Sequence, residues 1–142
     1  MYVGLAMIDP NVPIRTLMTP TPVSIGRQQP MAEASRRMTE HKIRHLPVLD
    51  GGRVVGIISD RDLSMVESFP GVDTETVTVE EAMTPDPYVV GPEEPLAAVV
   101  SALAEHKYGT AVVVKDNRLA GIFTTVDALR VFAGSLRGDS AS

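Results

Sequence analysis

Cysteine and tryptophan are absent from this 142-residue chain, and its aromatic residues are three tyrosines and three phenylalanines. Without cysteine, disulfides, thiolate zinc centres and cysteine nucleophiles are excluded. Long hydrophobic runs are missing too, and no stretch approaches the ~20 apolar residues of a membrane span. The first residues lack the basic-then-apolar order of a secretory leader. Together these absences predict a cytoplasmic protein. Positive charge is in short supply: the formal net charge of −5 argues against general affinity for nucleic acid or anionic lipid. Gly51-Gly52 has no Walker or dinucleotide glycine pattern around it and reads as a turn. Serine, histidine and aspartate are present, but no spacing assembles a nucleophile with a base, so no enzyme is expected.

What the chain does have is a repeat. Gly56-Ile57-Ile58-Ser59-Asp60-Arg61-Asp62-Leu63 returns 65 residues later as Gly121-Ile122-Phe123-Thr124-Thr125-Val126-Asp127-Ala128. Each copy reads as a buried strand that turns at once into a helix. A hydroxyl follows the strand, and a carboxylate follows three residues later. That tetrad is a capping-box pattern, in which side chains satisfy the free N–H groups of a helix start. The same place gathers a positive dipole end and free N–H groups, which suit a phosphate. A carboxylate on that turn can accept hydrogen bonds from two vicinal ribose hydroxyls. The tetrad therefore fits either a plain cap or a ribose phosphate site.

The remaining segments keep the 65-residue offset without a gap. Residues 1–12 read as an irregular leader, with Asn11 available to cap a helical turn over Pro13–Met18. Met18-Thr19-Pro20 matches Met83-Thr84-Pro85, Pro30 matches Pro95, Glu40-His41-Lys42 matches Glu105-His106-Lys107, and Arg53 matches Arg118. Val23-Ser24-Ile25 alternates as a short strand. Pro30 suits the first turn of a helix, in which Met31, Ala34 and Met38 recur at helical spacing up to His41. Leu46–Leu49 and Val54–Ile58 read as strands joined by a tight Asp50-Gly51-Gly52 turn. The helix after Ser59 runs to about Ser68, Pro70-Gly71 ends it, and Asp73–Thr78 is a polar linker. In the second copy Leu96, Val99, Val100 and Leu103 form an apolar helical stripe, and Lys115-Asp116-Asn117 makes the turn. The unit is β-α-β-β-α used twice, each copy giving a three-stranded sheet with two helices. Apolar sheet surface left on one copy is covered by the other. The expected fold class is thus α+β, two repeats with pseudo-twofold symmetry and a ligand cleft between them.

Charge is unevenly spread, with a balance of +2 over residues 1–63 and −7 over residues 64–142. Cations for an anionic ligand therefore come from the first half. Arg36, Arg37 and Arg53 read as a solvated basic face. Arg44 and His45, directly before Leu46-Pro47, have the reach for a phosphate or end a solvated helix. His41 and His45 have i, i+4 spacing, but His45 falls beyond the helix and no third ligand is evident, so no metal site is expected. Tyr108 is placed either to stack on a base or to pack at a helix end, the commoner outcome for an aromatic residue. The methionines read as core filler, apart from the repeat markers Met18 and Met83.

This layout resembles a tandem pair of CBS (cystathionine β-synthase type) domains, the Bateman module, over about residues 13–132. The pieces that carry the resemblance are Leu17-Met18-Thr19, Ala82-Met83-Thr84, His45-Leu46-Pro47-Val48-Leu49-Asp50 and the two Gly-apolar-x-Ser/Thr-x-x-Asp endings. On that reading the repeats are 13–68 and 79–132, with 69–78 a linker; residues 133–142, small and polar, read as a flexible tail. The resemblance implies homodimers and adenosine ligands: AMP, ADP, ATP, S-adenosylmethionine or NAD. It assigns phosphate contact to Ser59 and Thr124 and ribose to Asp62 and Asp127. The base is placed against Thr21, Val23, His45 and Leu46 in one copy, and against Tyr88, Thr110 and Ala111 in the other. Two departures stand out: Ala111-Val112-Val113 replaces Leu46-Pro47-Val48, and Val126 stands where the first copy has the cation Arg61. The resemblance thus implies a stand-alone regulatory module binding AMP, ADP or ATP in the inter-repeat cleft, signalling through its dimer or an unidentified regulated protein. The alternative is a ligand-free dimerisation scaffold whose Ser/Thr-x-x-Asp tetrads are caps only.

Overall fold

The computed structural model describes residues 8–138. In chain order the elements are β1 (Thr19–Pro20), β2 (Ile25–Gly26), α1 (Met31–His41), β3 (His45–Asp50), β4 (Arg53–Ser59), α2 (Asp60–Glu67), α3 (Val79–Ala82), β5 (Thr84–Pro85), β6 (Val89–Val90), α4 (Leu96–His106), β7 (Thr110–Lys115), β8 (Arg118–Thr124) and α5 (Thr125–Leu136). The fold is α+β, as expected. The chain divides into two compact units. Among the described residues the α2 unit comprises Pro22–Pro87 with Asp116–Leu119, and the α5 unit comprises 8–21, Tyr88–Lys115 and 120–138.

In the α2 unit the sheet order is β2-β3-β4-β5. β2 runs parallel to β3, with Ile25 opposite Val48, and β3 and β4 form an antiparallel hairpin from His45–Ser59 to Asp50–Arg53. Gly51 and Gly52 make the turn at φ +59° and +88°, a conformation open to glycine and costly for most other residues. Pro47 keeps its place in the β3–β4 ladder opposite Ile57; it lacks the N–H that the equivalent Val112 donates to the Tyr88 carbonyl in the second copy. Met31, Ala34 and Met38 line the buried stripe of α1 and pack with Ile25, Leu46, Val48 and Ile58 into one core. The opposite face of α1 carries Glu33, which accepts from Arg36 and Arg37.

In the α5 unit the order is β1-β8-β7-β6, with β6 parallel to β7 and β1 antiparallel to β8. Its core holds Ile14, Val90, Leu96, Val99, Leu103, Ala111, Val113 and Phe123. Leu96, Val99 and Leu103 follow the expected stripe, but Val100 is 37% exposed. Its place on α4 turns it off the buried arc.

Each sheet has four strands where the repeat pattern predicts three. The extra strand is lent by the other copy: Thr84-Pro85 pairs with Ile57 and Gly56, and Thr19-Pro20 pairs with Ile122 and Gly121. Glycine is what admits it. A Cβ at Gly56 would run into the Met83 sulfur and the Thr84 carbonyl, and one at Gly121 into Met18 and the Thr19 carbonyl.

Three further segments depart from the sequence reading. Pro30 and Pro95 are N-caps rather than first-turn residues, and neither offers a side-chain cap. The first N–H groups of α1 instead donate to the carbonyls of Val77 and Thr74, and those of α4 to Val12 and Pro10. Linker and leader residues thus serve as backbone caps. The early helical turn is a 3-10 turn, Ile14–Thr16, capped by Pro13, while the Asn11 N–H donates to Asp9. The short strands are Ile25–Gly26 and Val89–Val90. Finally α5 runs to Leu136, through Ala133, where the small, polar composition reads as the start of a frayed tail. The rest of that tail, residues 139–142, and residues 1–7 of the leader lie outside the described residues.

Candidate functional site

The two tetrads stand where strands end and helices begin. Ser59 is the last residue of β4 and the N-cap of α2, in extended conformation. Its Oγ accepts from the Asp62 N–H at 3.1 Å, while the Asp62 carboxylate accepts from the Ser59 N–H at 2.9 Å. Thr124 and Asp127 repeat this at α5, at 3.1 and 2.8 Å. Both tetrads are therefore complete capping boxes, each worth about 1 kcal/mol to its helix. Asp62 and Asp127 each spend one oxygen on the box and keep lone pairs for a further donor.

Around Asp62 the structure adds a residue that sequence reasoning missed. The Thr84 hydroxyl lies 3.4 and 3.5 Å from the two Asp62 oxygens. In the sequence Thr84 stands out only as part of a repeated Met-Thr-Pro marker, and the hydroxyl shared by both copies of that marker is the signal that points to it. The Arg44 carbonyl accepts from the Asp60 N–H at 3.0 Å, and the exposed Arg44 guanidinium reaches Asp60 only at 4.0 Å. Arg61 is exposed and has no ion-pair partner among the described residues. His45 is opposite Ser59 in the ladder. Burial, aided by Arg44 and opposed by Asp60 and Asp62, holds its imidazole below the usual value.

Around Asp127 the neighbouring cation is Arg130, one turn further along α5, with Nη1 3.5 Å from Oδ1. The second copy therefore has a cation beside its carboxylate, although Val126 replaces Arg61. Thr110 opens β7 and is 7% exposed, and its Oγ1 is buried without a hydrogen-bond partner. Leaving such a hydroxyl unpaired costs roughly 1–3 kcal/mol. Tyr88 and Tyr108 stack with centroids 4.9 Å apart, and His106 stacks on Tyr108 at 5.2 Å. Burial raises the Tyr88 phenol above its usual value, with Glu94 and Tyr108 adding to the effect.

Other residues from the sequence reading lie elsewhere. Leu46 and Ala111 are fully buried in their cores, and Val23 packs against the α2-unit core. The resemblance groups Thr21 with Val23, His45 and Leu46, but Thr21 belongs to the α5 unit, where its N–H donates to the Ala120 carbonyl. His41 ends α1 and His45 begins β3, so their spacing is not that of one helix face. A groove of about 250 Å³ opens between α1 and α2, floored by Met38, Ile43 and Leu63. Of the residues read as site residues it includes only Arg44. No helix among the described residues is long and apolar enough to cross a membrane.

An α+β protein built on a tandem repeat, with one polar strand-to-helix turn per copy, is the class this geometry defines. The chain belongs to the CBS domain family, which it matches over residues 14–67 and 79–134. No catalytic family is indicated beside it. The chain is 28% identical over 117 residues to hypoxic response protein 1 of Mycobacterium tuberculosis, covering 82% of each. It is similar to the crystal structure of CBSX2 in complex with AMP, with a TM-score of 0.76, 28% identity, and 86% and 97% of the two chains covered. It is equally similar to the CBS domain pair of protein MJ0100 in complex with 5′-methylthioadenosine and S-adenosyl-L-methionine: TM-score 0.76, 27% identity, coverage 88% and 98%.

Proposed function

We propose that this chain is a regulatory module of the cytoplasm that binds an adenine nucleotide, AMP, ADP or ATP, at its strand-to-helix turns. The observation that carries this is the recurrence of the tetrad, Ser59 with Asp62 and Thr124 with Asp127, at the N-termini of α2 and α5. Helix N–H groups and hydroxyl suit the phosphate, and the carboxylate suits the ribose. Solved relatives in complex with AMP and with S-adenosyl-L-methionine support an adenosine ligand, and S-adenosylmethionine or NAD is the alternative within that class. Arg61 and Arg44 supply cations at the α2 site, and His45 borders it. The signal passes through a homodimer or a regulated protein, as a population shift between states of different ligand affinity. Val126, Leu129, Phe132 and Leu136, exposed along one arc of α5, suit contact with a second copy.

A second reading has its own observation. Both tetrads are already satisfied as capping boxes, which favours a ligand-free dimerisation scaffold. Thermal unfolding against AMP, ADP, ATP, S-adenosylmethionine and NAD separates the two. At 1 mM, a ligand with a dissociation constant near 10 μM adds about 2.7 kcal/mol, several degrees for a domain of this size. A shift that disappears in Asp62→Asn and Asp127→Asn supports nucleotide binding. No shift with any ligand, from protein shown to be ligand-free, leaves the scaffold.

A further inference from the structure

The Met-Thr-Pro marker sets one thioether beside each lent strand. Cysteine is absent, so the methionine sulfurs are the groups of this chain that a peroxide oxidises most readily. The described methionines are graded by exposure: Met65 is 58% exposed, Met18 and Met83 are half-buried, and Met31 and Met38 lie in the core. Met83 packs against the α2-unit core, and its sulfur and methyl lie over Gly56. The Thr84 carbonyl shares that space: a Cβ on Gly56 would stand 2.9 Å from it and 3.1 Å from the Met83 methyl. Met18, the Thr19 carbonyl and Gly121 repeat this arrangement in the α5 unit, with the carbonyl at 2.8 Å.

Little else holds the lent strand. β5 is two exposed residues, Thr84 and Pro85, paired with Ile57 and Gly56 of β4. Pro85 has no N–H to give to that ladder, so the packing of Met83 against Gly56 carries much of the attachment. The same strand sets the Thr84 hydroxyl 3.4 Å from Asp62 Oδ1.

We propose that Met83 is an oxidation site through which hydrogen peroxide loosens the α2 site, with Met18 its counterpart in the α5 unit. The sulfur lone pair attacks one peroxide oxygen and the O–O bond breaks. The departing hydroxide takes the proton of the transferred oxygen and leaves as water. Sulfur is oxidised by two electrons to the sulfoxide, and the peroxide is reduced. The product puts a polar oxygen on a sulfur that faces a glycine backbone, a carbonyl oxygen and an apolar core. An acceptor buried there without a donor is unfavourable, so the side chain leaves its seat and β5 leaves with it, taking Thr84 from Asp62. Release of the strand stands on the packing alone; its effect on ligand rests on the nucleotide-binding reading above.

The test treats the folded chain with hydrogen peroxide, maps sulfoxide at each methionine by peptide mass spectrometry, and follows amide hydrogen exchange on the same samples. AMP is titrated into Asp127→Asn, so that the α2 site reports. Met65 should oxidise first, Met18 and Met83 next, and Met31 and Met38 last. Sulfoxide at Met83 should speed exchange of the β4 amides that face β5 about tenfold and weaken AMP about threefold. Met83→Leu keeps the volume and removes the sulfur, and should abolish both effects while Met65 still oxidises. Should that variant fail to fold, Met65→Leu serves, and exchange in it must still track the sulfoxide fraction at Met83. Met83 that stays reduced while Met65 is fully oxidised overturns the inference. So does sulfoxide at Met83 with unchanged exchange, or faster exchange that persists in Met83→Leu. Strand release with unchanged AMP affinity overturns the link to the α2 site. AMP that fails to bind even the untreated, unsubstituted chain overturns the nucleotide-binding reading, and exchange alone then decides whether Met83 releases the strand.

Discussion

The Thr84 hydroxyl stands 3.4 Å from Asp62 Oδ1, and the two residues come from different copies of the sequence repeat. Thr84 is placed by β5, which pairs with β4 through Ile57. The α2 site is therefore assembled from both copies inside one compact unit. At 3.4 and 3.5 Å the contact is too long to carry much stability. Thr84→Val should leave the unfolding free energy within about 0.5 kcal/mol. It should weaken nucleotide at the α2 site about threefold, since a second donor on the carboxylate helps fix its orientation. Paired urea melts and titrations check both halves, and unchanged affinity would remove Thr84 from the site.

Gly56 and Gly121 hold the lent strands. Gly56→Ala sets a methyl against the Met83 sulfur and the Thr84 carbonyl, 2.9 Å from the latter. Overpacking of this kind costs about 1–3 kcal/mol, read as a lower urea midpoint. Met83→Ala in the same chain should recover only part of the loss, because the backbone carbonyl stays where it was. Full recovery would mean that the carbonyl contact is not felt.

The order of elements and the two capping boxes were legible because they are local. A period of 65 residues, a Ser/Thr-x-x-Asp tetrad and the Gly51-Gly52 turn each leave their mark on the residues that form them. The strand exchange was not legible: Met18-Thr19-Pro20 and Gly121 are a hundred residues apart, and nothing within either segment names its partner. The backbone caps on α1 and α4 were hidden for the same reason, since carbonyls of Val77, Thr74, Val12 and Pro10 are offered by any sequence. Arg130 beside Asp127 and Thr84 beside Asp62 were readable in principle. The first follows from i, i+3 spacing on a helix, the second from the hydroxyl in a repeated motif.

Acid should act on the α2 unit in two steps. His45 titrates below its ordinary value of 6.5 in the folded protein, mainly through burial. The unfolded chain therefore binds the proton first. Stability is complete above pH 6.5 and declines as pH falls toward the folded value. Glu33, held down to about 2 by hydrogen bonds from Arg36 and Arg37, loses its contribution as pH falls from its ordinary 4.5 toward 2. Urea melts from pH 8 to 3 should show the first decline vanish in His45→Gln and the second flatten in Glu33→Gln. A first decline that persists in His45→Gln would assign it to another group.

Leu129 is the most exposed large apolar residue on α5, at 65%. Val126, Phe132 and Leu136 share its arc with exposures of 48%, 56% and 58%. A charge placed there meets water in an isolated chain, so Leu129→Glu should change the stability of the monomer by no more than about 0.5 kcal/mol. If this arc joins two copies, the same charge is buried against apolar side chains without a partner, which costs several kcal/mol. The variant should then sediment as a monomer at concentrations where the parent chain sediments as a dimer, with its far-ultraviolet circular dichroism unchanged. A variant that dimerises like the parent would place the dimer contact off α5, and a parent that is itself monomeric would remove the dimer from the signalling route.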